Sequence, residues 1–375
     1  MEIHQIPATV QLIKRSKSEW SSFAYKKCQD VYGYDSNALR RFAVIIQLQY
    51  DKTVSEEDKE FLEFLMQQEI DMHRSHPYQG AHESMDILAY LLAKFKDVHH
   101  IRLFEQAKLS NFDTYYGFDS EYLFSAGIEE AIRYVEENDL YTSSSYFQGM
   151  EDEIRTLFTA EYMERWLQTK TRSYPINQED ESLSTLMDRA VVFGDIAEAR
   201  RLLAQLEASS GSEKSDYSYL YYRCKELEEY DKALTYLTKL TPYQEEASDR
   251  VSLSLKFAGI YMGKEIWDQA FASVKQCQQE LNTFTSWKRN GLGRSLSEAL
   301  LDISLGAREW DRSLAKEAYS WADQMLRVTN NDSYVILKKA HQCARMLRLR
   351  KDKRRYGKEC RLEARRIKKM IGRRS

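Results

Sequence analysis

Apolar residues recur along most of this chain three and four positions apart, the spacing that lines one face of an α-helix. Residues 18–31 and 36–50 each carry such a stripe, with Ser36 and Asn37 suited to cap the second. Ser55-Glu56-Glu57-Asp58 is placed to open a helix, because carboxylates in a first turn meet the positive end of the helix dipole. Phe61, Leu62, Phe64, Leu65 and Ile70 supply its apolar face, and Pro77 with Gly80 ends it. Helices are predicted over 85–95, 101–110, 121–138 and 143–168, with a turn-rich connector at 111–119. Each unit reads helix, short polar turn, helix, so residues 1–170 are expected to be irregular antiparallel helix pairs without a fixed period.

A second pattern occupies the middle of the chain. Ile196-x-x-Ala199, Tyr230-x-x-Ala233 and Trp267-x-x-Ala270 each set a bulky residue three before a small one, and Leu203, Leu237 or Val274 follows four later. Ala199 and Ala233 are 34 residues apart, and Ala233 and Ala270 are 37 apart. Two antiparallel helices need a small side chain where their axes come closest, with an apolar neighbour one turn on to seal the pair. A period in this range marks a stacked array of two-helix units. The first helices carry their own stripes: Leu183, Leu186, Met187 and Ala190; Tyr217, Leu220, Tyr221 and Cys224; Leu253, Phe257, Ala258 and Tyr261.

These residues resemble the tetratricopeptide repeat family over about 176–330, in a degenerate form, with a weaker fourth copy whose second helix starts at Trp310-Asp311-Arg312-Ser313. The resemblance implies an all-α fold, an α-solenoid of antiparallel helix pairs, TPR-like in its C-terminal half and HEAT-like in its irregular N-terminal half. It also implies a concave groove that holds peptides, with Asp188, Tyr222, Lys225 and Met262 at first-helix positions that face it. Gly259 and Gly263 weaken the groove of the third copy. The expected boundary between the halves lies in 168–182, around Pro175 and Glu179-Asp180-Glu181.

Charge changes the picture at the C-terminus. The net charge is −3, yet residues 338–375 hold seventeen Lys or Arg against three acids, a net of +14 that leaves −17 on the remainder. Within that tail Tyr356, Cys360, Ala364, Ile367 and Ile371 form an apolar stripe. A solvated polybasic tail would not need one. Residues 331–375 are therefore expected to end in a capping helix that docks its stripe and turns Arg354, Arg355, Arg361, Arg365, Arg366, Lys368 and Lys369 outward.

Fourteen glycines and four prolines in 375 residues disfavour a sheet protein rich in tight turns. No apolar run approaches the ~20 residues that span a bilayer, and the N-terminus lacks a basic-then-apolar leader pattern, so a cytoplasmic location is expected. Cys28, Cys224, Cys277, Cys343 and Cys360 are scattered and odd in number, which fits packing in a reducing compartment. His73, His76 and His82 could suggest a metal, but they lack a fourth ligand and read as exposed loop histidines. Gly291-Leu292-Gly293-Arg294 lacks the third glycine and preceding strand of a dinucleotide site and reads as a loop before a helix. No catalytic motif, metal site or cofactor site stands out.

The function expected from this pattern is non-enzymatic binding of a protein or peptide. One alternative is a nucleic-acid-associated protein whose tail neutralises phosphates. The lack of aromatics beyond Tyr356 argues against stacking on single strands. A further alternative is an immunity-type or regulatory protein whose acidic body masks a basic partner.

Overall fold

The computed structural model describes residues 6–28, 34–75, 80–138, 149–281, 283, 287, 291–329 and 333–371. Among these residues the fold is all-α, with twenty α-helices, short 3-10 turns, no strand, and one isolated antiparallel bridge between Lys27 and Asp35. No described helix is long and apolar enough to cross a membrane. The chain forms two compact units, 1–193 and 194–375.

In the 1–193 unit the helix Ala38–Tyr50 packs on Ile6–Arg15 and Glu83–Ala93, and Lys59–Ser75 packs on Glu83–Ala93 and Ile101–Lys108. Val44, Ile45, Leu48, Leu62, Leu65, Ile87, Leu88, Phe104 and Tyr122 fill the space between them. The expected acidic start holds: Ser55 and Asp58 form a capping box ahead of Lys59–Ser75.

Three sequence expectations change here, each for its own local reason. The stripe over 18–31 makes a helix only at Lys17–Trp20, followed by a 3-10 turn at Ser21–Phe23. Beyond it, the Phe23 carbonyl accepts from Arg41 at 3.1 Å and the Ala24 carbonyl from Asn37 at 2.7 Å, so neither carbonyl is left for a continuing helix. Residues 29–31 of that stripe lie outside the described residues.

The connector at 111–119 contains a helix, Phe112–Gly117. Asn111 and Thr114 cap its start reciprocally, and the buried Lys108 ammonium donates to the Tyr115 and Phe118 carbonyls at its end. The stripe over 121–138 divides into a 3-10 turn, Ser120–Phe124, and a helix, Ile128–Glu137, at Gly127, whose φ of +124° a side chain would resist. Of the stripe over 143–168, residues 143–148 lie outside the described residues, and Glu151–Leu157 and Ala160–Ser173 are helical.

In the 194–375 unit, neighbouring helices pack as pairs: Lys214–Glu226 with Tyr230–Leu240, Ala247–Gly263 with Trp267–Leu281, Gly291–Gly306 with Arg312–Thr329, and Tyr334–Met346 with Arg350–Ile371. First helices also meet across pairs, Ala247–Gly263 on Gly291–Gly306 and Gly291–Gly306 on Tyr334–Met346. Ala199, Ala233 and Ala270 are completely buried, as the close-approach argument requires.

The turns inside three of these pairs are the same. Glu228, Glu265 and Arg348 adopt φ near +60°, and the following residue donates back to the carbonyl of Cys224, Tyr261 or Ala344 at 2.8–2.9 Å. This is the Schellman end of a helix, built without glycine. The last pair therefore repeats the turn of the second and third copies, so the basic helix is the second member of a pair. Pairs are also joined by aromatic wedges. The Tyr230 ring lies flush against Gly263 and the Trp267 ring against Gly306, where a Cβ would collide with the ring. Gly291-Leu292-Gly293-Arg294 forms the first turn of the helix Gly291–Gly306 rather than a loop.

Candidate functional site

Tyr222 and Lys225 stand three residues apart near the end of Lys214–Glu226, and both are exposed, Tyr222 at 52%. Neighbouring Leu220, Tyr221 and Cys224 are buried, so the helix turns its apolar face inward and leaves this polar-aromatic edge in solvent. From the first helix of the next pair, the Lys256 ammonium sits 5.6 Å from the Tyr221 ring centroid and 5.2 Å from that of Tyr222. A cation over two rings fixes the Tyr222 side chain without covering it. Met262, on the helix that carries Lys256, is half-buried and packs on the core of its unit.

Asp188 belongs to the other unit. It lies on Leu183–Val192 and lines a cavity of 460 Å³ together with Phe42, Met72, Glu83 and Arg189. Two arginine networks that sequence reasoning missed reach the cavity wall through Glu69, Glu83 and Arg189. Arg41, with no exposed surface, donates to Glu69 at 2.5 Å, to Asp35 at 2.8 Å and to the Phe23 carbonyl at 3.1 Å. Arg189 donates to Glu83 at 2.6 Å, Glu181 at 2.9 Å and Gln49 at 2.9 Å. Burial alone would raise the Glu69 carboxyl pKa; Arg41 and the Ser84 hydroxyl at 2.6 Å hold it below its ordinary value.

A faint signal for this network exists in the sequence. Arg41 shares a helix face with Ile45 and Leu48, and Glu69 shares one with Leu62, Leu65 and Met66. A charge on an apolar face calls for a buried partner, but the pattern does not say which.

His73 and His82 come together, their rings edge to face with centroids 4.9 Å apart. His73 is buried on Lys59–Ser75 rather than exposed in a loop, because its ring bridges two backbone groups. Nδ1 donates to the Glu69 carbonyl at 2.7 Å and Nε2 accepts from the His82 N–H at 3.3 Å, and burial lowers its pKa. Both nitrogens are occupied, so the ring is a structural link. His82 is exposed, and His76 lies outside the described residues. Cys224, Cys277 and Cys343 are buried, which pushes each thiol up to about 12 and keeps it protonated.

On the terminal helix Arg350–Ile371, Tyr356 is buried and its hydroxyl donates to Asp323 at 2.7 Å. Cys360 packs on the same core. Arg354, Arg361, Arg365, Arg366, Lys368 and Lys369 are exposed, whereas Arg355 pairs with Asp323 and its guanidinium lies 4.3 Å from the Tyr356 ring centroid. Arg355 thus helps dock the helix instead of joining the outward cations. No family profile, no curated protein and no solved structure matches this chain.

Proposed function

We propose that this chain is a non-enzymatic, TPR-like helical repeat protein that binds a peptide or protein segment, with irregular, HEAT-like pairs preceding the repeats. The supporting observation is the Tyr222–Lys256 arrangement. An exposed aromatic side chain is held in place by a cation from the next pair, beside the exposed Lys225. Rigid aromatic anchors lose little entropy on contact and commonly carry the binding energy of an interface. In this reading Tyr222 is the anchor, Lys225 and Lys256 fix the register of the bound segment, and Met262 supplies apolar contact. The α-solenoid form of the repeats and a cytoplasmic setting are parts of the same proposal.

The test compares wild-type protein with the double variant Tyr222→Ala/Lys225→Glu. Quantitative affinity capture followed by calorimetry with the captured partner should show binding weakened by about tenfold or more at unchanged helicity. Equal affinity for the two proteins would remove the groove.

A second reading, phosphate binding by the terminal helix, is favoured by the face that holds Arg361, Arg365, Arg366, Lys368 and Lys369 in solvent while Tyr356 anchors the opposite side. It requires retention of duplex or single-stranded nucleic acid that falls steeply with salt and is lost in Arg361→Glu/Arg365→Glu.

A further inference from the structure

The last helix pair, Tyr334–Met346 with Arg350–Ile371, carries two rows of cations. Lys338, His341 and Arg345 recur at three and four along the first helix, and Arg354, Lys358, Arg361 and Arg365 at four, three and four along the second. His341 is half-buried, and the other six are exposed. The rows meet over Gly357. A Cβ on that residue would lie 3.2 Å from His341 Nε2 and 3.8 Å from Arg361 Nη1, so imidazole and guanidinium converge on one point of the seam. Burial lowers the His341 pKa, and Arg345, Lys353 and Arg361 lower it further. Among the described residues, none of the six exposed cations forms an ion pair. The acids of the terminal helix keep instead to the face of Tyr356: Asp352 and Glu363 lie four before it and seven after it, and pair with Arg355 at 3.5 Å and Arg366 at 3.6 Å. Among the described residues of Arg350–Ile371, every exposed side chain is Lys or Arg except Leu362. Such a face lacks the cluster of aromatic and apolar anchors that carries a protein interface.

We propose that the phosphate backbone of a duplex nucleic acid lies across this pair and is held by both helices. This site rests on the phosphate-binding reading of the terminal helix, and adds to it the neighbouring helix and the duplex form. Paired helix axes stand about 8–10 Å apart, and Arg354 to Arg365 covers about 17 Å of helix. The cations therefore form two rigid rows. A duplex offers two phosphate rows, one on either side of a minor groove about 6 Å wide, and each can meet one helix. A single strand offers one row, and gains from successive bases stacked on aromatic rings. Among the described residues the pair exposes one ring, Tyr334, at the far end of its row. His341 stands where the rows meet, and a phosphate there offsets the repulsion among it, Arg345 and Arg361. Contacts to phosphates position a duplex without reading its bases. The remainder of the chain, at −17, repels a polyanion and leaves this pair as the place of contact.

The test is fluorescence anisotropy of the full chain with a labelled DNA duplex of about 20 base pairs, long enough to cover the rows at about 3.4 Å per pair. One separated strand serves as a second probe, and unlabelled poly-glutamate as competitor. The duplex should bind about tenfold more tightly than the strand, and its affinity should fall with salt at a log–log slope of about −5, as for six phosphate contacts. Lys338→Gln/Arg345→Gln, at two exposed positions of the neighbouring helix, should weaken the duplex about tenfold and reduce that slope by about 2. Lys338→Arg/Arg345→Lys keeps both charges and should bind as wild type. If the glutamine pair loses helicity, Arg345→Gln alone is read, with a slope change of about 1. Wild-type binding by the glutamine variant, with binding abolished in Arg361→Glu/Arg365→Glu, would overturn the shared site and leave the terminal-helix reading standing. No retention of either probe, or no loss in either variant, would end both. Equal affinity for the strand would overturn the duplex, and displacement by poly-glutamate at equal charge would give the face to an acidic protein segment.

Discussion

The two units bury different kinds of side chain. Among the described residues, every buried charged group lies in 1–193, including Lys14, Arg41, Asp58, Glu69, Lys108, Glu181 and Arg189. In 194–375 the buried polar side chains are Ser273, Ser297 and Ser304, whose hydroxyls donate to the carbonyls of Gln269, Gly293 and Ala315. That unit fills its interior with alanines and aromatic wedges instead. A repeated pair can reuse one packing solution at each step, so small and bulky residues at set positions suffice. In 1–193, buried ion pairs join helices from distant parts of the chain.

Truncating a charge should separate the units most sharply. Arg41→Ala leaves Asp35 and Glu69 buried without their cation and should cost about 3–5 kcal/mol. Ser297→Ala, which removes a hydroxyl bonded within its own helix, should cost under about 1 kcal/mol. Urea denaturation of both variants checks the contrast, and similar losses would erase it.

The apolar unit should respond instead to volume. Ala233→Leu places a larger side chain at a completely buried helix contact, and overpacking of this kind costs about 1–3 kcal/mol. An unchanged denaturation midpoint would show that the pair is loosely packed.

Asp86 sharpens the cost of buried charge in 1–193. One carboxylate oxygen is buried without a partner, and burial pushes its pKa up to about 6, with Lys170 lowering it only in part. The folded state therefore holds a proton that the unfolded chain releases nearer the ordinary value. Stability from this group is present at low pH and is lost as pH rises towards and through about 6. Asp86→Asn should gain on the order of 2 kcal/mol at pH 7 and little at pH 4. Thermal melts across that range provide the measurement, and a gain equal at both pH values would mean that charge is not the cause.

The smallest effect concerns the repeated turn. Glu228→Gly relieves a left-handed residue at φ 60° and should stabilise by about 0.5–1 kcal/mol. The same change at Glu265 should match it if the two turns are equivalent. Unequal gains would show that only one of them is strained.

By itself the sequence determined what local spacing controls. Stripes at three and four predicted an all-helical chain, the recurrence of Ala199, Ala233 and Ala270 located buried close contacts, and the tail stripe placed Tyr356 inward. Each depends on residues within a few turns of one another, where side-chain size and helix geometry suffice. The tertiary structure decided where charge goes. Arg41 meets Glu69 28 residues away, and Gln49 meets Glu181 132 residues away. The segment 175–193 joins the first unit through Pro175, Glu181 and Arg189, although Pro175 and Glu179-Asp180-Glu181 read as a domain boundary. The cavity at Asp188 exists only once those helices assemble. A buried charge is tolerated only beside its partner, and which residues become partners follows from how the helices pack.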